Sequence, residues 1–571
     1  MFVYPKRHYK VLFVTNAGTH STSQATKCLI DYLEKQQMIE LSVVSVTANG
    51  VPALTNLRAS GFQAVVLHLD LKEETLPDDQ AKALAKFVEA GGGLVMMHRT
   101  ARSLEDSKVL SKLGGVVVHE YSPSPFEYQV RYSPEAQEAG HSIAVRVDDF
   151  VINDVLLQLD ITADDVTVFA IAHINGRNTP VGFSRECGDG RLVYLACGGV
   201  AQATVNRHLQ RMVHRTVRYV CGEKFDRTIK AGIVGYGGAF NMGKHHGLGI
   251  NAQYGMQTIA VCDINPARTV AAKDELGEHV RTYQKMEQLI EDSEVDLIVM
   301  ILPHDMHAGA CIAACKAGKH VVTEKPFCIT LDEADRMIAA SDQTDKMLSC
   351  FHNRRWDGDF RQIIKLVREN VIGDIFHIDA ALSGWNMPNN WWRADKAASG
   401  GVLYDWGAHY VDWLLNIMNK RIKYVSGHMQ KRYWHNSTIE DFALAHVVFE
   451  DDTSATLEQG NLVAKARNGW RILGTMGAIC NNSPGCEVTL VQMHDGIRRE
   501  TELSKWQSNW PGYYQNIANH LLMGEDLIVT AQQARRIIGV VELAERSWKQ
   551  GGRPLELPGE DVYQPDYLLP W

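Results

Sequence analysis

Tryptophan is missing from the first 355 residues of this 571-residue chain; all twelve lie at or beyond Trp356. Long apolar runs are missing as well. None approaches the roughly 18 residues that a bilayer span requires, and the early apolar segment Val11 to Val14 is too short for a signal-peptide core. The eleven cysteines are scattered from Cys28 to Cys486 with no paired spacing, and a chain this long needs no disulfide staples. Cys311 and Cys315 stand four apart in a helical pattern and read as small core residues. There is no excess of positive charge: 58 Lys and Arg against 67 Asp and Glu give a net charge of −9, which argues against a nucleic-acid partner. Internal repeats and low-complexity tracts are absent too. Together these absences describe a reduced, cytoplasmic protein with neither a membrane nor a nucleic acid as partner.

What is present is ordinary globular material, 45% hydrophobic and 22% charged, enough for about three to four domains. In the first region, apolar runs at Val11–Thr15, Leu41–Val46, Ala64–Leu69, Leu94–His98, Val166–Ile171, Val181–Ser184 and Leu192–Cys197 read as strands. They alternate with helical patterns at Ser21–Gln36, Asp78–Ala90 and Val205–Val220. Such alternation predicts an α/β fold with a mainly parallel, doubly wound sheet. A polar break around residues 221–228 precedes a second α/β pattern, with strands at Ile229–Val234, Thr258–Cys262, Leu297–Ile301 and His320–Val322 and a helix at Met306–Ala317. After Cys350, alternating segments such as Phe442–Phe449 and Ser454–Glu458 suit an open, mainly antiparallel sheet with one exposed face, followed by a helical ending from Tyr513 to Lys549. The domains are therefore expected at 1–225, 226–350 and 351–571.

Gly235-Tyr236-Gly237-Gly238-Ala239-Phe240 follows a strand and precedes a helix, the place of a Rossmann phosphate loop. Phe240 occupies the third glycine position of the fingerprint, and Gly243 follows three residues later, as though the loop carried an insertion. Glycines let the backbone approach a pyrophosphate, and the helix N-terminus supplies N–H donors. Asp263 ends the second strand, where it would accept hydrogen bonds from ribose hydroxyls and repel a 2′-phosphate, which favours NAD over NADP.

Four further fragments follow in order: Pro303-His304 with His307; Glu324-Lys325-Pro326; Asn353-Arg354-Arg355-Trp356; and the run Gly400-Gly401-Val402-Leu403-Tyr404-Asp405-Trp406-Gly407-Ala408-His409-Tyr410-Val411-Asp412. With the glycine loop, they make residues 229 to about 565 resemble the Gfo/Idh/MocA family of sugar and polyol oxidoreductases. His304 stands where that family usually has Asn. Residues 8 to 222 resemble a ThuA-like domain, related to the class I glutamine amidotransferase (flavodoxin-like) fold. This likeness rests on Gly91-Gly92-Gly93 leading to His98, on Leu113-Gly114-Gly115, and on Pro180 to Tyr194; where a histidine is expected after the last strand, the sequence has Gly198-Gly199.

The resemblance implies a cofactor site built from Gly235, Gly237, Gly238, Ala239, Phe240, Asp263, Pro303, His304, His307, Glu324 and Lys325. It also implies that Lys325 lies beside the nicotinamide and hydrogen-bonds the reacting hydroxyl. Asp405, His409 and Asp412 are spaced to share one helix face. His409 has the natural pKa of a general base, with Asp405 orienting its imidazole or binding a sugar hydroxyl, and Asp412 reads as structural. A metal is not expected, because this donor set is not metal-specific. Trp385, Trp391, Trp392, Trp406 and Trp413 bracket the run. About half should be core; Trp391, Trp392 and Arg393 are the best candidates to stack on and hydrogen-bond a sugar, with Asn386 and Asn390 as further hydrogen-bonding groups. In the first region, His20, His68, His98 and His119 lie at strand ends or in loops. His98 stands at the nucleophile-elbow position with no cysteine nearby, so a glutaminase triad is not expected there.

The function expected is NAD-dependent oxidation of a secondary hydroxyl of a sugar or glycoside by a homo-oligomeric enzyme. Two alternatives stand beside it: an NAD-recycling glycosidase that oxidises, eliminates and re-reduces, and a non-catalytic dinucleotide-binding sugar sensor.

Overall fold

The computed structural model describes residues 9–569 apart from 17–19, 37, 71–75, 175, 224–226, 389–390 and 564–568. The described chain up to Arg227 forms one compact unit, and Thr228 onward forms another.

In the first unit, five parallel strands run in the order Ile39–Val46, Tyr9–Asn16, Ala64–His68, Gly93–Met97 and Gly190–Leu195. Ala64–His68 and Gly93–Met97 are buried at every residue, which explains why they read as continuous apolar runs. The sheet then continues antiparallel through Arg177–Cys187, Val166–Ile174, Phe126–Tyr132 and Phe150–Asp154. The sequence reading does not anticipate the last two, which include Glu127, Arg131 and Asn153 and have no apolar run longer than Phe150-Val151-Ile152. Helices His20–Glu34, Asp78–Glu89 and Arg207–Val220 fall within two residues of their predicted bounds.

The second unit begins with six parallel strands in the order Arg281–Tyr283, Met256–Cys262, Ile229–Val234, Leu297–Met300, His320–Thr323 and Leu348–Cys350. The direction of winding reverses between Ile229–Val234 and Leu297–Met300, and ligands of open α/β sheets bind at the carboxyl ends beside such a switch point. Local sequence fixes the helices between: Asn265 caps Pro266–Leu276 through the amide of Ala267, and Thr330 with Glu333 closes a capping box on Leu331–Thr344.

Next comes an eight-stranded sheet, antiparallel except where Ile375–Ser383 lies parallel to Ser454–Gly460. In Phe442–Phe449 the buried residues Ala443, Ala445 and Val447 alternate with partly exposed Phe442, Leu444 and His446. The buried face lies under helices; a Cβ added to Gly427, in the neighbouring strand Ile422–Gln430, would meet the Ala544 carbonyl at 2.2 Å, so helix Ala531–Lys549 packs backbone to backbone on that strand. The predicted single helical ending is instead two helices, Pro511–Met523 and Ala531–Lys549, because Gly524 takes a left-handed conformation and stops the first. One continuous apolar core joins the six-stranded sheet to the eight-stranded one.

Among the described residues, Trp356, Trp413 and Trp470 are buried, while Trp385, Trp510 and Trp548 are exposed. Of the five tryptophans around the Gly400–Asp412 run, only Trp413 is core, fewer than the half expected. Trp391, Trp392 and Trp406 are half-buried and Trp385 is exposed, because they sit on loops and a helix end. Cys311 and Cys315 are both buried. No helix among the described residues is long and apolar enough to cross a membrane.

Candidate active site

The glycine loop connects Ile229–Val234 to helix Met242–Asn251. Gly235 has φ +93°, and a Cβ there would stand 1.9 Å from the carbonyl oxygen of Ile301, so only glycine fits. Nothing lies within 4 Å of a Cβ built on Gly237, which leaves the loop surface open for close approach. Gly243, in the first turn of the helix, leaves room only for Tyr236, whose ring would meet its Cβ at 2.5 Å. Gly243 therefore does the packing job of the third fingerprint glycine, after an insertion that carries Phe240, and Phe240 itself is 56% exposed. The carboxylate of Asp263 accepts the amide of Tyr236 at 2.7 Å and that of Asn265 at 2.8 Å, which ties the second strand to the loop. These features fit a dinucleotide: an open glycine cradle, a helix N-terminus and a carboxylate at the second strand end.

Two turns at the carboxyl edge complete the cofactor side. Pro303 precedes the short turn His304–Met306, and the His307 ring bridges the carbonyls of Pro326 (2.8 Å) and Leu302 (3.0 Å). His307 thereby pins this turn to the Lys325–Pro326 segment. His304 lies buried with Nδ1 on the Ser399 carbonyl at 2.8 Å, so Nδ1 carries the proton and Nε2 keeps its lone pair. Nε2 has no hydrogen-bond partner among the described residues. Glu324 faces inward, with its carboxylate on His246 Nε2 (2.9 Å) and on the amide of Lys325 (3.0 Å). His246, which the sequence reading overlooks, is the i+3 neighbour of Gly243 on a helix of low amphipathicity and carries no motif of its own.

Lys325 reaches across to the eight-stranded-sheet region. Its Nζ lies 2.6 Å from Asp405 Oδ1 and 3.1 Å from the Asp405 carbonyl oxygen. Its carboxylate partner is thus Asp405 and not its chain neighbour Glu324. Nor does Asp405 share the helix face with His409 and Asp412, because the helix begins at Trp406 and Asp405 stands just before it with ψ −93°. Its carboxylate consequently turns toward Lys325, with Arg393 Nε at 3.9 Å, instead of orienting the His409 imidazole. Burial favours the protonated form of Asp405, but Lys325, Arg393 and His304 outweigh it and hold the carboxyl down to about 2.

His409 is buried in the first turns of the helix and makes no hydrogen bond among the described residues; its ring meets Trp406 at 5.6 Å and His352 at 6.0 Å. Burial, reinforced by Lys325, His352 and Arg354, pushes its pKa well below the ordinary histidine range. The imidazole is thus neutral at pH 7 and has a lone pair to offer. Asp412 is structural: Arg355 Nε contacts both its carboxylate oxygens (3.1 and 2.9 Å), and the same guanidinium donates to the Ile528 carbonyl at 2.6 Å.

Arg393 packs over three rings, those of Trp392 (4.4 Å), Trp391 (4.7 Å) and Phe240 (5.1 Å). Trp392 also meets the His304 ring edge-on at 4.7 Å. Structure thus brings Phe240, His304, Lys325, Trp391, Trp392, Arg393 and Asp405 into one cluster. Ala239, exposed on the loop, makes no side-chain contact that bears on it; Asn386 is exposed, and Asn390 lies outside the described residues.

Residues 229–352 match the family described as "Oxidoreductase family, NAD-binding Rossmann fold" (GFO_IDH_MocA), residues 360–480 match "GFO/IDH/MocA C-terminal domain", and residues 10–220 match "ThuA: Trehalose utilisation". The scyllo-inositol 2-dehydrogenase (NADP(+)) of Bacillus subtilis is 25% identical over 348 residues, covering 57% of this chain and 94% of the relative. The inositol 2-dehydrogenase of Salmonella typhimurium is 29% identical over 202 residues, 34% of this chain and 57% of that one. Among solved structures, an NAD-binding protein from Listeria innocua shares 25% identity with a TM-score of 0.53, covering 59% of this chain and 100% of its own. The chain therefore joins an N-terminal ThuA domain to an NAD-binding oxidoreductase of the Gfo/Idh/MocA family.

Proposed function

We propose that the second unit oxidises a secondary hydroxyl of a sugar, glycoside or cyclic polyol, with NAD preferred to NADP. The observation that carries this reading is the 2.6 Å contact between Lys325 Nζ and Asp405, set beside the neutral imidazole of His409. When bound, the dinucleotide supplies a nicotinamide that accepts hydride. Gly235, Gly237, Gly238 and the amides opening helix Met242–Asn251 would hold its pyrophosphate, and Asp263 its adenosine ribose. Asp263 supports NAD over NADP, since its carboxylate would repel a 2′-phosphate; the Bacillus subtilis relative, named for NADP(+), makes this a point to test.

Lys325 is held by its carboxylate so that its ammonium can donate to the substrate oxygen and stabilise the alkoxide that forms as the hydroxyl proton leaves. His409 accepts that proton, a role worth about 10²–10⁴-fold in such reactions. Trp391, Trp392 and Arg393 supply aromatic faces and a hydrogen-bonding cation suited to a pyranose or cyclitol ring. The experiment is a panel of inositols, hexoses and aryl glycosides assayed for NADH formation with NAD⁺ and separately with NADP⁺. NADH accumulation with at least one polyol is expected, faster than with NADP⁺. Free aglycone released without NADH accumulation would replace oxidation by redox-recycling hydrolysis, and NAD⁺ binding without any turnover would leave a sensor.

A further inference from the structure

The third glycine position of the fingerprint holds a phenylalanine, and packing of the following helix does not call for one, because Gly243 already does that job. Phe240 instead reaches the substrate side. Its ring lies 5.4 Å from that of Trp391, and the Arg393 guanidinium covers it at 5.1 Å. Arg393 Nε in turn stands 3.9 Å from Asp405 Oδ1, the oxygen that Lys325 grips at 2.6 Å. More than half of Phe240 is still exposed, on a loop open enough at Gly237 to receive a dinucleotide. A continuous set of contacts thus runs from the glycine loop to the Lys325–Asp405 pair, and one end of it is uncovered. Cation–π contacts of this kind strengthen as solvent is excluded from them, so covering Phe240 biases the far end of the set.

We propose that Phe240, Trp391 and Arg393 form a latch that couples a dinucleotide on the glycine loop to the carboxylate that holds Lys325. The inference rests on the reading of this unit as a dinucleotide-dependent oxidoreductase. Covering the open face of Phe240 fixes its ring against Arg393, and Arg393 then settles the position of Asp405. All three are positioning residues in this role. Binding of dinucleotide and polyol is reciprocal: each tightens the other by the same factor.

The test uses the full chain and two readouts that do not depend on absolute affinity. First, tryptophan emission is followed to saturation with NAD⁺. A change is expected that disappears in Trp391→Phe and in Phe240→Gly, and that survives in Phe240→Tyr. Second, the Kd for NAD⁺ is measured by calorimetry with and without the polyol turned over fastest in the panel above. The ratio is expected to be about five-fold or more in the wild type, about one in Phe240→Gly, and restored in Phe240→Tyr. A Phe240→Gly protein that keeps both the emission change and the ratio overturns the latch. NAD⁺ binding that leaves Trp391 emission untouched in the wild type overturns the latch alone, whereas a chain that binds no NAD⁺ overturns the oxidoreductase reading with it.

Discussion

Two parallel-sheet edges in this chain carry histidines, and they differ in what surrounds them. In the first unit, His68 is spent on Thr26 (2.9 Å) and the Gly198 carbonyl (3.0 Å), and buried Asp154 takes the amides of Gly198 (2.7 Å), Gly199 (3.1 Å) and Val155 (2.9 Å). His98, at φ +47°, is 3% exposed and fills the space where any side chain on Gly199 would go. Those histidines are buried, and the ion pair at this edge, Arg99 with Asp70 at 2.8 Å, joins two of its own strand ends; the side chains of His20 and His119 lie outside the described residues. In the second unit the pair reaches further: Lys325 meets Asp405, 80 residues on, with the lysine side chain 13% and the Asp405 side chain 40% exposed. Similar sheet geometry thus gives buried histidines beside a pair of neighbouring strand ends in one place, and in the other a largely buried lysine held by a carboxylate from the region beyond the sheet. The fold supplies the location; the residues that surround and hold the cation supply the chemistry.

The contrast can be broken most directly by removing the cation. Lys325→Met is expected to lower turnover by about 10³-fold, the cost of deleting one preorganised donor, while NAD⁺ binding by calorimetry persists. His98→Gln at the first unit's edge should leave kcat within about two-fold; a large loss there would mean that this edge takes part in the reaction. An effect on stability separates Asp412 from its motif neighbours. Asp412→Asn leaves the Arg355 guanidinium buried without its counter-charge, and breaking such a pair costs about 3–5 kcal/mol, read as a lowered denaturation midpoint by tryptophan emission. Because every tryptophan lies in the second unit, that signal reports this unit and not the first.

The smallest effect is in pH dependence. A base must be neutral to act, so activity falls once pH drops below its pKa. Burial and the nearby cations push the His409 pKa well below 6.5, so the acid limb of kcat/KM should lie clearly below pH 6.5. A limb at 6.5 or above would mean that His409 is solvated and that the site is less enclosed than the structure shows.

Much of this arrangement is legible in the sequence, because it depends on local signals. Continuous apolar runs mark the buried parallel strands, capping residues mark the helices, and Glu324-Lys325-Pro326 and the Gly400–Asp412 run mark the site. Other features left no such trace. Phe126–Tyr132 and Phe150–Asp154 have no apolar run longer than three residues, and their pairing, more than their composition, makes them strands. The shared helix face of Asp405, His409 and Asp412 is a correct spacing argument applied one residue too early: where a helix starts depends on the turn before it, here the Gly400-Gly401 conformations at φ +86° and +130°.

What the sequence determines by itself is therefore the set of parts: two α/β patterns, a glycine loop, a lysine after a strand, an imidazole on a helix, and tryptophans confined to the last region. What only tertiary structure decides is the pairing between them. Lys325 and Asp405 are 80 residues apart, and Phe240 meets Arg393 across 153. Such contacts depend on how the two sheets pack around a common core, and no periodicity along the chain encodes that packing. The same holds for Asp412, read from the sequence as structural, and Glu324, read as part of the cofactor site: only the fold supplies their partners, Arg355 and His246. Residue type limits what a group can do; the neighbours it meets in space determine which of those things it does.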